Sequence, residues 1–105
     1  MPDFQIVLST CADREQAERI ARSLVEQGLA ACVNIVPGIQ SIYRWQGAVE
    51  SASEVLMLIK TSPTHLSQVQ STVTALHSYE VPEFLVLPIA AGSAAYLKWL
   101  SASLK

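Results

Sequence analysis

The stretch "LAACVNIVPGIQSIYRW", Leu29 to Trp45, continues through Gln46-Gly47 into "AVESASEVLMLIKT", Ala48 to Thr61, and its reading decides the fold. Both halves carry β-branched and aromatic residues, and Trp45-Gln46-Gly47 is turn chemistry, so together they read as one long antiparallel hairpin. Pro37-Gly38 interrupts the first half, because proline removes a ladder donor and glycine permits a bulge. The two strands form a long β-arm.

Working outward toward the start, "FQIVLST" (Phe4 to Thr10) reads as a strand ending at Cys11-Ala12. Asp13 is an N-cap with Gln16 three residues on, and Ala17, Ile20, Ala21, Leu24 and Val25 recur at helical spacing until Gly28 stops the run. Beyond the hairpin, Ser62-Pro63 caps a second helix with proline at its first position and Leu66, Val69, Val73 and Leu76 on one face. That helix ends near His77. "EFLVLPI" (Glu83 to Ile89) is a short strand whose consecutive apolar residues predict a central or interface-buried place, with Pro88 taking its far end out of the ladder. Ala91-Gly92 breaks the chain, and Ser93 caps a terminal helix carrying Tyr96, Leu97, Trp99 and Leu100.

The order is strand, helix, strand, strand, helix, strand, then a short helix. Right-handed crossovers place the first and third strands side by side and both main helices on one face of an antiparallel sheet. The expected fold is therefore α+β, a ferredoxin-like βαββαβ sandwich with a long hairpin and a short C-terminal helix. At 105 residues the chain is a single domain, residues 1–105, with one core. Helices on one face leave the other bare, and half of the residues are hydrophobic against 15% charged, so self-association is the simplest way to cover that face.

Composition excludes several function classes. Nine acidic and seven basic residues are scattered to a net charge of −2, with no basic run to pair with phosphates, which argues against nucleic acid. No apolar run approaches the roughly 20 residues of a membrane span, and the polar start Met1-Pro2-Asp3 reads as no secretory leader. The expected compartment is the cytoplasm, where Cys11 and Cys32 are reduced thiols. There is no GxSxG elbow, Walker loop or GxGxxG, and neither histidine has an evident acid and nucleophile arrangement, so no enzyme is expected.

The blocks "LAACVNIVPGIQSIYRWQG", "EVLMLIKT", "HSYEVPEFLVLPI" and "YLKWL" together resemble the CutA family of divalent-cation tolerance proteins over nearly the whole chain. The most specific parts are Ala30-Ala31-Cys32-Val33-Asn34, Pro37-Gly38, Ser41-Ile42-Tyr43, Trp45-Gln46-Gly47, and His77, Tyr79, Pro82 and Glu83. The resemblance implies a ferredoxin-like subunit, a homotrimer with sheets inside and helices outside, and a cytoplasmic role linked to copper tolerance or metal binding. Some members carry a cysteine at the end of the first strand that has been considered a copper ligand; here Ser9 aligns with it. Cys11 sits two residues on, where a continuing strand presents the same face. The family's His-Pro-Tyr is His77-Ser78-Tyr79 in this chain.

The candidate metal ligands are therefore His77 and Cys11, since imidazole and sulfur suit copper or another soft divalent cation; no cofactor is required otherwise. The plainer reading of His77 is a helix C-terminal residue that caps carbonyls, and no close pair such as CxxC or HxxxH supports a four-ligand site. Cys32 reads as a small buried hydrophobe, Cys11 as the more reactive thiol, and His65 as a surface residue. Tyr43, Arg44, Trp45, Lys60, Tyr79 and Glu83 read as either a ligand cleft or interface anchors, with Arg44 or Lys60 paired to Glu50, Glu54 or Glu83 of a neighbouring copy. Three functions follow: a metal-binding tolerance trimer, a small-molecule signalling module like the nitrogen-regulatory trimers, or a trimeric scaffold.

Overall fold

The computed structural model describes residues 3–105; the polar start Met1-Pro2 lies outside them. Strand β1 (Gln5–Cys11) alternates strictly: Val7, Ser9 and Cys11 are buried, whereas Ile6, Leu8 and Thr10 are half-buried on the opposite face. Asp13 then caps α1 (Arg14–Glu26), its side chain accepting from the Gln16 amide at 2.8 Å. The other half of a capping box does not form. The Gln16 side chain turns inward instead and accepts from Ser78 Oγ. Gly28, at φ +69°, ends α1 with Leu29 N–H donating to Leu24 C=O and Gly28 N–H to Val25 C=O, the paired bonds of a Schellman stop. Val25 proves 44% exposed, because the buried stripe runs through Ala17, Ile20, Ala21 and Leu24 and leaves it on the outer side.

The hairpin strands β2 (Cys32–Trp45) and β3 (Ala48–Thr61) pair along their full length, with a register break between Val36 and Ile39 where Pro37-Gly38 stands. Gln46 and Gly47 join them with φ of 49° and 82°, the double positive φ of a type I′ turn matched to strand twist. Only Val55 to Thr61 of β3 reach β1, so the segments Ile39–Trp45 and Ala48–Glu54 extend past the sheet body as an arm. The arm stretches the molecule to 45 × 25 × 22 Å.

Helix α2 (Leu66–Leu76) starts later than its sequence predicts. Ser62 to His65 form a turn closed by His65 N–H to Ser62 C=O, and His65 is the cap residue with no side-chain cap bond. His65 is not a free surface residue either: its Nδ1 meets Ser62 Oγ at 2.7 Å and its Nε2 the backbone carbonyl of Lys105. Strand β4 (Leu85–Pro88) is an edge strand in the order β2-β3-β1-β4, and all four residues are exposed in the single chain. Its apolar run therefore does not mark a central strand. Pro88 stays in the ladder opposite Gln5, and Ile89 N–H still donates to Phe4 C=O, because an edge strand tolerates proline where no donor is asked of it. Ser93 caps α3 (Ala94–Ser103) by accepting from the Tyr96 amide.

All strand pairs are antiparallel, and α1 and α2 cover one sheet face over a core of Val7, Ile20, Leu24, Met57, Ile59 and Val73. A smaller cluster of Phe4, Ala31 and Leu100 seats α3. Alternation puts Ile6, Leu8, Leu56, Leu58, Leu85 and Leu87 on the uncovered face. This is the βαββαβ sandwich with a long hairpin and a terminal helix that the strand order predicts.

Candidate functional site

The loop after α2 folds back against the end of β1. His77 leaves the helix in an extended conformation, which turns its ring toward the β1 terminus. Its Nε2 lies 2.7 Å from the Thr10 carbonyl oxygen, so that nitrogen carries a proton and donates, while Nδ1 accepts from the Tyr79 amide at 3.0 Å. The sulfur of Cys11 stands 3.8 Å from Nε2. The two residues singled out as metal ligands are thus brought together from 66 positions apart in the chain.

Their chemistry is not that of a ready metal site. Cys11 is fully buried, and its thiol is pushed up to about 11 by burial first and then by the charges of Asp13 and Glu54. It is a neutral thiol at physiological pH, not the reactive thiolate its place before a helix suggests. Both ring nitrogens of His77 already have partners. Among the described residues, no three His, Cys, Asp or Glu side chains gather closely enough to hold a metal. Ser9, aligned with the family cysteine, is buried on the same face as Cys11 and donates to the Glu83 carbonyl at 2.6 Å, bracing the loop.

The other thiol also departs from expectation. Cys32 is half-exposed on the uncovered sheet face, with Lys60 Nζ 3.9 Å from its sulfur and bonded to Asn34 Oδ1. A residue among apolar neighbours is buried only if the strand turns it toward the helices, and Cys32 pairs with Lys60 on the other side.

A cleft of about 760 Å³ opens between the arm and the loop from Ser78 to Glu83. Of the six residues read as a ligand cleft or interface anchors, Tyr43, Trp45, Tyr79 and Glu83 line it; Arg44 and Lys60 do not. Glu54, which the sequence offers only as one of three acids able to meet a base, is the buried member at its floor, 9% exposed, and takes the Tyr79 hydroxyl on Oε2 at 2.7 Å. Partial burial and the Glu54 charge raise the Glu83 carboxyl above its ordinary range. Burial and the Glu54 bond raise the Tyr79 phenol as well, so it stays a donor. The backbone carbonyl of Thr10 and the hydroxyl bonds of Ser9 and Ser78 escape sequence reading, because contacts that bridge distant segments leave no local spacing signal.

The antiparallel order β2-β3-β1-β4, with an arm and two helices on one face, defines a ferredoxin-like α+β protein with an extended hairpin. Comparison then narrows the class. The model of the CutA1 divalent ion tolerance protein family matches residues 5–103, and the chain belongs to that family. It is 52% identical over 96 residues to the divalent-cation tolerance protein CutA of Thermus thermophilus, covering 91% of this chain and 93% of that one. A solved structure of the Thermus thermophilus protein superposes with a TM-score of 0.94 at 49% identity, covering 97% and 99% of the two chains. That of Archaeoglobus fulgidus, described as a periplasmic divalent cation tolerance protein, gives 0.93 at 38% identity over 97% and 99%.

Proposed function

We propose that this chain serves divalent-cation tolerance as a homotrimer, with its uncovered sheet faces packed inside and copper as the cation handled. Family membership supports the tolerance role. The observation that carries the metal part is the 3.8 Å approach of Cys11 sulfur to His77 Nε2. Sulfur and imidazole select a soft, thiophilic ion. Binding there displaces the thiol proton and turns the ring off the Thr10 carbonyl, so uptake strengthens with rising pH and draws further ligands from outside the pair. The leucine-rich uncovered face, continuous from Leu85 through Leu8 to Leu58, supports self-association. No helix among the described residues is long and apolar enough to cross a membrane, and two free cysteines fit a reducing cytoplasm, the compartment proposed here.

Calorimetric titration of copper(II) and zinc(II) into the reduced protein, with its mass in solution fixed beforehand and His77→Ala alongside, tests the reading. Integral stoichiometry lost in the variant supports it; weak, superstoichiometric binding that the variant leaves unchanged retires the pair. The cleft favours a second reading, in which the trimer binds a small molecule and signals, because it is roomy and lined by aromatic and charged groups.

A further inference from the structure

The turn that leads into α2 holds a hydroxyl and imidazole pair that neither the metal reading nor the arm cleft uses. His65 N–H donates to Ser62 C=O at 3.0 Å and closes the turn, and the two side chains meet, Ser62 Oγ standing 2.7 Å from His65 Nδ1. The proton positions follow from the other ring nitrogen. His65 Nε2 meets the backbone carbonyl of Lys105, which can only accept, so in the neutral ring Nε2 carries the proton and Nδ1 presents its lone pair. Ser62 therefore donates its hydroxyl proton to Nδ1. A serine that merely ties off a turn bonds to backbone groups, which do not take its proton away. A hydroxyl donating to an imidazole that a third group holds in place is the relay of a serine nucleophile.

Space is the second observation. Ser62 and His65 both line a cleft of about 400 Å³, separate from the one beside the arm, with an apolar wall of Phe4, Pro63 and Leu104. Ser62 is only 8% exposed, so little water competes for its oxygen, while the cleft gives a small acyl group an approach. The ring is held from behind as well. Lys105 N–H donates to Gly28 C=O at 3.0 Å, so the carbonyl that orients His65 is itself anchored to the end of α1.

We propose that Ser62 and His65 form a nucleophile and base pair that hydrolyses small activated esters, a short acyl group being the substrate class this cleft admits. Ser62 Oγ bonds to the acyl carbon as its proton passes to His65 Nδ1; the ester C–O bond breaks, and the leaving oxygen takes that proton. Water then attacks the acyl carbon through the same base, which frees the carboxylic acid and returns a proton to Ser62. Lys105 is a positioning residue that acts through its carbonyl. This activity goes beyond cation tolerance and does not rest on the Cys11–His77 pair.

The test treats the full chain with an alkyl fluorophosphonate, which phosphonylates base-activated serines with loss of fluoride, and locates the adduct by peptide mass spectrometry; p-nitrophenyl acetate then reports turnover. A chelator keeps any metal at Cys11 and His77 out of the reaction. One adduct per chain, on Ser62, and saturable release of nitrophenolate are expected. Ser62→Ala should abolish both, and His65→Gln should slow both by about a hundredfold. Circular dichroism and solution mass must match the parent for each variant; if either misfolds, the position of the adduct in the parent decides. Absence of an adduct on Ser62 overturns the proposal, as does labelling that His65→Gln leaves within threefold. Saturable nitrophenolate release that survives in Ser62→Ala also overturns it, since a lysine or the half-exposed Cys32 is then the acyl acceptor.

Discussion

The sulfur of Cys11 lies 3.8 Å from Nε2 of His77, and that same nitrogen donates to the carbonyl of Thr10. The imidazole therefore acts first as a clasp between the α2 exit and the end of β1. His77→Ala removes the donor to Thr10 and the acceptor for the Tyr79 amide, and should destabilise the fold by about 1–3 kcal/mol in urea unfolding. An unchanged midpoint would show that the clasp contributes nothing and leave the ring free for metal.

Tyr79→Phe strips the buried Glu54 carboxylate of its hydroxyl donor. Leaving that oxygen unsatisfied should cost about 1–3 kcal/mol. Glu54→Gln, which accepts the same bond without a buried charge, should cost less or stabilise. Chemical denaturation of the two variants orders them; the reverse order would mean that the charge of Glu54 is already compensated in the folded protein.

The two thiols should label in a defined sequence. Cys11 is fully buried with its thiol pushed up to about 11, so a thiolate-selective reagent at pH 8 should leave it unmodified until the protein unfolds. Cys32 stands on the uncovered sheet face and, on the proposed packing of that face inside a trimer, should become reactive on dilution before any unfolding. Mass spectrometry of labelled peptides across a dilution series reads both events. Modification of Cys11 ahead of Cys32 would contradict the burial pattern.

Glu83 ties stability to pH. Its carboxyl titrates above the ordinary 4.5, so the folded protein holds a proton that the unfolded chain has released. The resulting stability is full below that value and is lost as pH rises through the folded one. Glu83→Gln should therefore raise the Tm at pH 7 and flatten its decline as pH rises above 4.5. Parallel curves for variant and parent would rule out this group as the source.

The arm depends on one turn residue. Gly47 sits at φ 82° with open space around a would-be Cβ, so Gly47→Ala meets backbone strain and no clash. A loss of about 1–2 kcal/mol is expected, with hydrogen exchange quickening first at the arm tip. Uniform acceleration across the sheet would show that the arm and body unfold as one unit.

The sequence by itself determined the element order, the hairpin, the bulge at Pro37-Gly38, both side-chain caps and the resemblance of family blocks. These rest on local signals: alternation, helical spacing, Asp13 and Ser93 before helices, and Gly28 and Gly47 where φ is positive. Where the local signal was ambiguous, it misled. An apolar run reads alike for a central strand and for an edge strand on a bare face, and of the two places it predicts for β4, central or interface-buried, the strand order removes the central one; a serine-proline pair reads as a cap, although Leu66 opens α2.

Only the tertiary structure decided what the candidate residues do. It set Cys11 against His77 and closed both, turned Cys32 to the open face beside Lys60, left Arg44 outside the cleft, and made Glu54 its buried floor. The reason is physical. A residue's protonation and reactivity follow from burial and from neighbours more than sixty positions away, as Thr10 is from His77, and no spacing along the chain encodes those.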